Sequence, residues 1–174
     1  MPLPFSMRNL TITDDFIEWK SFSESDLNVC NRFSLDTWHR IVEDFKSDEE
    51  WRTYLKEYAD YAQCYILYKC SDEVPIAFSF FLQEDDKGKV VSIHGGGWVY
   101  RNTLLYYRGF IVLIQGLLDA KFKVRTSCFK DNKVAERFIR SVGFVKYKET
   151  STSLLFWINE KRLYSSKIYK RILK

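Results

Sequence analysis

Apolar residues recur at helical spacing in the first third of this chain and at strand spacing after it. Residues 34–45 carry apolar side chains three and four positions apart, which predicts a helix. Segment 47–50 begins with Ser and ends with Glu, a capping box that predicts the start of a second helix. Before these helices, residues 7–13 are predicted to form a first strand. One of the two acids at 14–15 is predicted to cap a short helix through Trp19.

Three short segments rich in aromatic and β-branched residues follow, at residues 64–68, 76–83 and 90–93. Turn-forming residues separate these segments, which predicts an antiparallel meander of three strands. The third strand runs directly into His94 and three consecutive glycines, Gly95, Gly96 and Gly97.

The second half of the chain alternates between helical and strand patterns. A helix, a strand, a helix and two strands are predicted, at residues 105–120, 122–128, 132–141, 144–148 and 153–158. Asp131 is predicted to cap the second of these helices, and Gly143 to end it. Because a helix connects the fourth and fifth strands, we expect them to be parallel neighbours. The predicted fold class is therefore α/β (α+β), with a mixed, mostly antiparallel sheet of about seven strands and flanking helices.

Composition supports a single folded domain over residues 1–174. The chain is 46% hydrophobic and 17% aromatic, which is ample material for a core and excludes intrinsic disorder. Its formal net charge is +4, too small to indicate a nucleic-acid partner. The basic residues concentrate at 160–174, where six of them stand against one acid. We expect this segment to be a solvated helix or a frayed end.

Cysteine usage and the absence of targeting patterns indicate a reducing, cytoplasmic setting. The four cysteines form no C-x-x-C pair and only two histidines are present, so a metal site is not expected. Cys64 and Cys128 lie among apolar residues and are predicted to be buried free thiols. No signal-peptide pattern is present, and the most apolar stretch, residues 110–118, is too short to span a membrane.

The glycine run next to His94 is the first candidate site. Three of the seven glycines are consecutive here. Glycine within a strand marks a bulge or a close backbone approach, although a flexible turn would explain the run as well. An imidazole with a pKa near 6.5 is suited to accepting a proton at neutral pH. His94 is therefore a candidate general base, with a hydrogen-bonded structural histidine as the alternative. Weaker candidates are Glu84, Asp85 and His39.

A pattern that begins at Asn132 resembles the GNAT superfamily of acyl-CoA N-acyltransferases. The family shows Asn, a small residue three positions on, an apolar residue at plus six, and Gly-Phe at plus eleven and plus twelve. Here these places hold Asn132, Ala135, Phe138, Gly143 and Phe144. The predicted order of elements matches the family fold over nearly the whole chain. The resemblance implies that the fourth and fifth strands splay apart and leave a gap between residues 93–100 and 122–128.

The resemblance also implies an activity. Members of the family transfer an acetyl group from acetyl-CoA, a co-substrate, to a primary amine by direct attack in a ternary complex. His94 would be the base on the fourth strand. Backbone N–H groups near Trp98, Val99 and Tyr100 would hold the carbonyl oxygen, and Asn132 would contact the cofactor.

Two departures from the family pattern concern the cofactor and the general acid. The glycine-rich loop that binds pyrophosphate in the family is absent, and residues 98–110 stand in its place. The next helix begins either near Thr103 or near Arg108 and Gly109. The second register is preferred because it echoes the family loop, and it assigns both residues to cofactor binding. Ile139 occupies the place of the tyrosine that commonly protonates the leaving thiolate, so another tyrosine or water would have to supply that proton.

A non-catalytic GNAT-like module that binds a protein or a nucleic acid is the competing hypothesis. The two departures and the basic C-terminal segment favour it. The acceptor amine is not determined by the sequence: a polyamine, an aminoglycoside, an amino acid and a protein N-terminus all stay candidates. A homodimer is left open, and no membrane partner is expected.

Overall fold

The computed structural model describes a sheet and the helices of the second half of the chain. The described residues are 13–21, 49, 50, 53, 63–71, 75–84, 89–97 and 103–173. The predicted helix at 34–45 lies outside them, and of the predicted strand at 7–13 only Thr13 is described, in an isolated bridge to Glu18. Of the predicted second helix, only residues 49, 50 and 53 are described, and all three are helical.

Seven strands of the described chain form one mixed sheet. They are β1 (Ile17–Ser21), β2 (Gln63–Lys69), β3 (Pro75–Gln83), β4 (Val90–Gly97), β5 (Lys123–Phe129), β6 (Val145–Glu149) and β7 (Ser153–Ile158). Their order across the sheet is β1-β2-β3-β4-β5-β7-β6. Among these neighbours, β4 and β5 are parallel and every other pair is antiparallel. The predicted meander, the predicted parallel pair and the predicted fold class are therefore confirmed.

The chain enters β1 through a tight turn at Asp14, where the sequence predicted the start of a helix. The Asp14 carboxylate accepts hydrogen bonds from the N–H groups of Phe16 and Ile17, at 2.8 and 3.0 Å. A carboxylate closes a turn of this kind with the same bonds that it uses to cap a helix. Ile17 and Trp19 are both buried two positions apart, which is the spacing of a strand. The predicted helix through Trp19 is therefore wrong.

Helix α1 (Thr103–Asp119) lies across one face of the sheet and contacts β1, β3 and β5. As predicted, it is a buried helix that is apolar nearly all round, and its buried apolar residues are Phe110, Ile111, Leu113, Ile114, Leu117 and Leu118. Gly109 allows a close approach to β2, because a Cβ at this position would clash with the Leu67 side chain. Within the described part of the chain, no helix combines the length and hydropathy that a membrane crossing requires.

Helix α2 (Lys133–Val142) follows β5 and packs beside α1. Its N-cap is Asn132 and not Asp131, because Asn132 Oδ1 accepts the N–H of Ala135 at 3.0 Å. Asn and Asp are equally good caps, so neighbouring residues of these two types compete for the position. Gly143 ends the helix with a φ of 114°, as predicted, and a Cβ there would lie 2.7 Å from the Arg162 carbonyl oxygen.

The basic C-terminal segment forms two short helices, α3 (Glu160–Ser165) and α4 (Lys167–Leu173). Lys161, Lys167 and Lys170 are exposed, in agreement with the predicted solvated helix. Leu163, however, is completely buried. The segment is therefore anchored on the core through an apolar side chain while its charges face solvent.

We expect Leu163→Ala to destabilise the protein by roughly 2–5 kcal/mol, the usual cost of truncating a buried leucine. Lys161→Ala, at an exposed position of the same helix, is the matched control and should change the free energy of unfolding by less than about 0.5 kcal/mol. Urea unfolding followed by circular dichroism measures both values. A loss below about 1 kcal/mol for Leu163→Ala would show that α3 is not docked on the core.

Candidate functional site

Strands β4 and β5 stop pairing partway along their length. Their register covers four pairs and ends at Ile93↔Thr126. Beyond that point β4 stays paired with β3, and β5 stays paired with β7, to their last residues. Residues 94–97 of β4 and 127–129 of β5 therefore form no described pair with each other, and we call the space between them the β4–β5 opening. It overlaps the segments 93–100 and 122–128, where the sequence predicted a gap.

Side-chain hydroxyls show which edge of β4 faces the opening. Thr126 Oγ1 donates to the Ile93 carbonyl at 2.8 Å, so this carbonyl faces β5. Ser79 Oγ donates to the next carbonyl, that of His94, at 3.1 Å from the β3 side. Because successive peptide groups of a strand face opposite edges, the N–H and C=O groups of Gly95 face the opening.

Gly95 is exposed although it lies within the sheet. Its partner on β3, Ser79, is completely buried, so the exposure is local to the opening. Gly97 lies two positions further on and faces the same edge. The strand therefore presents backbone hydrogen-bonding groups without side chains, which is what a close approach by an extended ligand requires. Because all three glycines belong to a paired strand, the flexible turn considered above is excluded.

His94 is the first residue of β4 beyond the last pair with β5. Its side chain lies on the opposite face of the sheet from that of Ile93, and its Nε2 is 3.0 Å from Ser92 Oγ. Burial lowers the pKa of His94, and the nearby Glu84 carboxylate partly opposes this. Glu84 is itself paired with Arg125 at 3.1 Å. The imidazole is therefore neutral at pH 7 and able to take up a proton.

Helix α1 begins at Thr103, so the preferred register that starts it near Arg108 and Gly109 is wrong. Leucine and tyrosine fill the intervening positions, and neither residue type interrupts a helix. A cofactor phosphate at the N-terminus of α1 would therefore meet N–H groups near Thr103.

Arg108 and Gly109 connect α1 to the edge of the sheet and to α4. The Arg108 guanidinium forms an ion pair with Asp14 and donates through Nη1 to the Ile172 carbonyl at 3.1 Å. Trp19 Nε1 donates to the Gly109 carbonyl at 2.9 Å. These contacts give both residues a structural role, and their predicted contact with cofactor phosphate stays a prediction.

Of the other predicted cofactor residues, the structure describes Asn132 alone. Asn132 lies at the N-terminus of α2, directly after β5, and its side-chain oxygen is used by the cap. Its contact with the cofactor stays a prediction. Outside the described residues lie Trp98, Val99, Tyr100, Asp85 and His39.

Cys128 is a free, partly buried thiol on β5, beyond the last pair with β4. Burial raises the pKa of this thiol, so it is protonated at neutral pH. The free thiol that was predicted at this position is thus present, with less burial than expected. The side chain of Cys64 lies outside what is described.

Sequence reasoning missed an aromatic cluster between α1 and α2. Tyr106 and Tyr107 pack around the ring of Phe138, with centroids 4.9 and 4.7 Å away. Burial raises the pKa of Tyr106, so its hydroxyl stays protonated, and no described residue hydrogen-bonds it. Ile139, in the place of the family's tyrosine, is buried. The helical spacing of Tyr106 and Phe110 was the signal that would have revealed this cluster.

The described elements and their connections define the fold of the GNAT acetyltransferases: a mixed sheet whose one described parallel pair separates at the end where the following helices begin. The resemblance inferred from the sequence is confirmed at the level of the fold. No family model matches the sequence, and no curated protein matches it.

Several solved structures share this fold. FdhC, described as a nucleotide-linked sugar GNAT, is similar with a TM-score of 0.70 and 13% identity over 92% of this chain and 96% of that chain. A probable GNAT-family acetyltransferase from Chromobacterium violaceum has a TM-score of 0.71 and 13% identity over 87% of this chain and 86% of its own. Spermidine N-acetyltransferase from Vibrio cholerae has a TM-score of 0.64 and 8% identity over 87% and 98% of the two chains. Identities this low establish the fold alone.

Proposed function

We propose that this protein is an acyl-CoA-dependent N-acetyltransferase that acetylates a primary amine by direct attack in a ternary complex. Acetyl-CoA, as co-substrate, would supply the activated acetyl thioester. The observation that carries the proposal is the edge of β4 formed by Gly95 and Gly97, here called the glycine edge, which faces the β4–β5 opening and is exposed at Gly95, with His94 directly beside it. The GNAT fold supports acyl transfer as the class of reaction.

The glycine edge of β4 would hold the extended, amide-bearing arm of acetyl-CoA. Gly95 and Gly97 offer N–H and C=O groups to the opening at the repeat of an extended chain. An amide-bearing chain in this place would hydrogen-bond to β4 in the way that β5 does at residues 90–93, as in strand addition. The residues present therefore fit this part of the co-substrate, because no side chain at Gly95 keeps it away.

His94 would accept the proton that the amine loses as it attacks. Primary amines are mostly protonated near pH 7, so a base must free the lone pair before or during attack. The lowered pKa of His94 keeps the ring neutral and ready for this step. N–H groups of β4 that face the opening, and those of Trp98, Val99 and Tyr100 further along the chain, would stabilise charge on the carbonyl oxygen.

The departing thiolate needs a proton from a group other than Ile139. Tyr106 is a candidate because its hydroxyl has no hydrogen-bond partner within the described chain, but burial raises its pKa and makes it a weaker acid than an ordinary tyrosine. Water is the alternative donor.

The acceptor is proposed only as a primary amine. The similar structures include a nucleotide-linked sugar GNAT and a spermidine N-acetyltransferase, and a nucleotide-linked sugar and spermidine are chemically unlike each other. A non-catalytic binding module is the second candidate, favoured by Ile139 and by the structural partners of Arg108. That candidate predicts no acetylation of any amine.

Acetyl-CoA is expected to stabilise the protein against heat. At about 100 times the Kd, ligand binding adds about 2.7 kcal/mol to the free energy of unfolding, which raises the Tm of a chain of this length by roughly 5–10 °C. Differential scanning fluorimetry measures the shift, with ATP at the same concentration as a control for unspecific anion binding. No shift at millimolar acetyl-CoA, or an equal shift with ATP, would contradict the proposal.

A further inference from the structure

The His94 ring has one described polar contact, and it is with a buried serine of the same strand. Ser92 Oγ lies 3.0 Å from His94 Nε2, and Ser92 is only 4% exposed. The two residues are two positions apart on β4, so their side chains share one face of the sheet. No other described residue hydrogen-bonds the Ser92 hydroxyl. This hydroxyl can either donate to Nε2 or accept from its N–H, depending on the tautomer of the ring.

The hydrogen bond with Ser92 also sets the direction of the second ring nitrogen. The two nitrogens of an imidazole face away from each other across the ring. With Nε2 held toward Ser92, Nδ1 faces away from that residue. His94 is followed on β4 by residues 95–97, which border the β4–β5 opening.

We propose that Ser92 is a positioning residue that accepts a hydrogen bond from Nε2–H of His94 and leaves Nδ1 as the nitrogen that takes the proton. This inference rests on the proposed function, because proton uptake from the amine is what requires a free Nδ1. The hydrogen bond to Ser92 persists unchanged when the amine's proton moves to Nδ1, so no group has to turn during the transfer. In the opposite tautomer Ser92 donates to Nε2, Nδ1 already carries hydrogen, and His94 is a donor instead of a base.

The charged groups around His94 do not replace Ser92 in this role. Arg125 lies across from Ser92 on β5, and Glu84 follows β3. These two side chains pair with each other at 3.1 Å. Lys123, at the start of β5, is exposed. The Glu84 carboxylate raises the pKa of His94 against the effect of burial, but none of these three side chains hydrogen-bonds the ring within the described structure, so the tautomer depends on Ser92.

Histidine ¹⁵N NMR of the full chain tests the proposal without any ligand. The chain has two histidines, so His39→Gln leaves the ring signals of His94 alone. In this background we expect the Nε2–H tautomer above the titration midpoint. Ser92→Ala should lower the midpoint by about one pH unit, a tenfold weaker proton affinity, because a hydrogen bond to the charged ring is lost. Ser92→Thr keeps the hydroxyl and should restore the midpoint.

Ser79→Ala is the matched control. It removes another buried serine hydroxyl beside His94, one that bonds the backbone carbonyl and not the ring. It should leave the tautomer and the midpoint unchanged. An Nδ1–H tautomer with Ser92 intact would overturn the proposal even if Ser92→Ala does not fold, and so would a midpoint that Ser92→Ala leaves in place.

Turnover separates this inference from the proposed function. Acetylation by a protein whose His94 is the Nδ1–H tautomer would refute the role of Ser92 alone. The Nε2–H tautomer in a protein that acetylates no amine would refute the proposed function alone.

Discussion

Gly95→Val is expected to abolish acetyl-CoA binding while the fold stays intact. Gly95 lies within a paired strand, and the described glycine with a positive φ is Gly143, so valine suits the backbone at 95. Valine also favours strands, so the free energy of unfolding should be unchanged or higher by up to about 1 kcal/mol. Its side chain, however, would rise from the sheet beside the exposed peptide groups and take up space that an extended ligand in the opening needs. Losing two backbone hydrogen bonds to the ligand lowers kcat/KM by roughly 100-fold or more.

Thermal unfolding with and without acetyl-CoA, together with steady-state kinetics, measures both effects of Gly95→Val. Lys148→Val is the matched control, because it places the same side chain at an exposed position of β6, away from β4. The control should keep the full ligand-induced shift in Tm. A Gly95→Val protein that still shifts by several degrees would refute the use of this edge. A variant that is unfolded without ligand would refute the claim that the position tolerates a side chain.

His94→Gln is expected to slow acetylation by about 10²–10⁴-fold, the usual contribution of a general base. Glutamine fills similar space but cannot accept the amine's proton. The acetyl-CoA-induced shift in Tm should persist, because the glycine edge is unchanged. Release of free thiol, with an amine that the unsubstituted protein acetylates, measures the rate. Unchanged turnover would remove His94 as the base, and loss of the thermal shift would assign it to binding.

The pH dependence of kcat/KM is expected to follow the protonation of the His94 imidazole. Burial lowers the pKa of His94 below its ordinary value near 6.5, so the neutral, proton-accepting form persists into mildly acidic solution. Activity should therefore fall as the pH drops through a midpoint below about 6.5. The residual activity of His94→Gln should lack this acidic limb. A midpoint above that value, or the same limb in the variant, would contradict the assignment.

Most of the sheet could be predicted from the sequence because its signals are local. The strand at 153–158 has the predicted bounds, and Gly143 ends its helix because only glycine suits a positive φ there. One error arose where a side chain serves two structures equally well, and another where two neighbouring residues compete for the same cap position. Asp14 closes a turn with the bonds that would cap a helix, and Asn132 caps as readily as Asp131.

The candidate site could be located from sequence, but its contacts could not. His94 beside the glycine run marked the right end of β4. The point where β4 and β5 part depends on Thr126 meeting Ile93, two residues 33 positions apart. Arg108 resembled a phosphate ligand because its structural partner Asp14, 94 positions away, is not visible in a local pattern. The sequence does not distinguish Ser92 from other strand residues, because its role depends on the contact between its hydroxyl and the imidazole.

The contacts of Arg108 have a consequence for the order of folding. This one side chain joins Asp14, 94 positions before it, to Ile172, 64 positions after it. Helix α1 forms from local interactions, but contacts over such separations form late because long loops must close first. During synthesis, the hydrogen bond that joins α1 to α4 therefore cannot form until residue 172 has been made. We expect the glycine edge of β4 to form before this hydrogen bond. The ligand-binding strand would then fold before α4 is joined to α1.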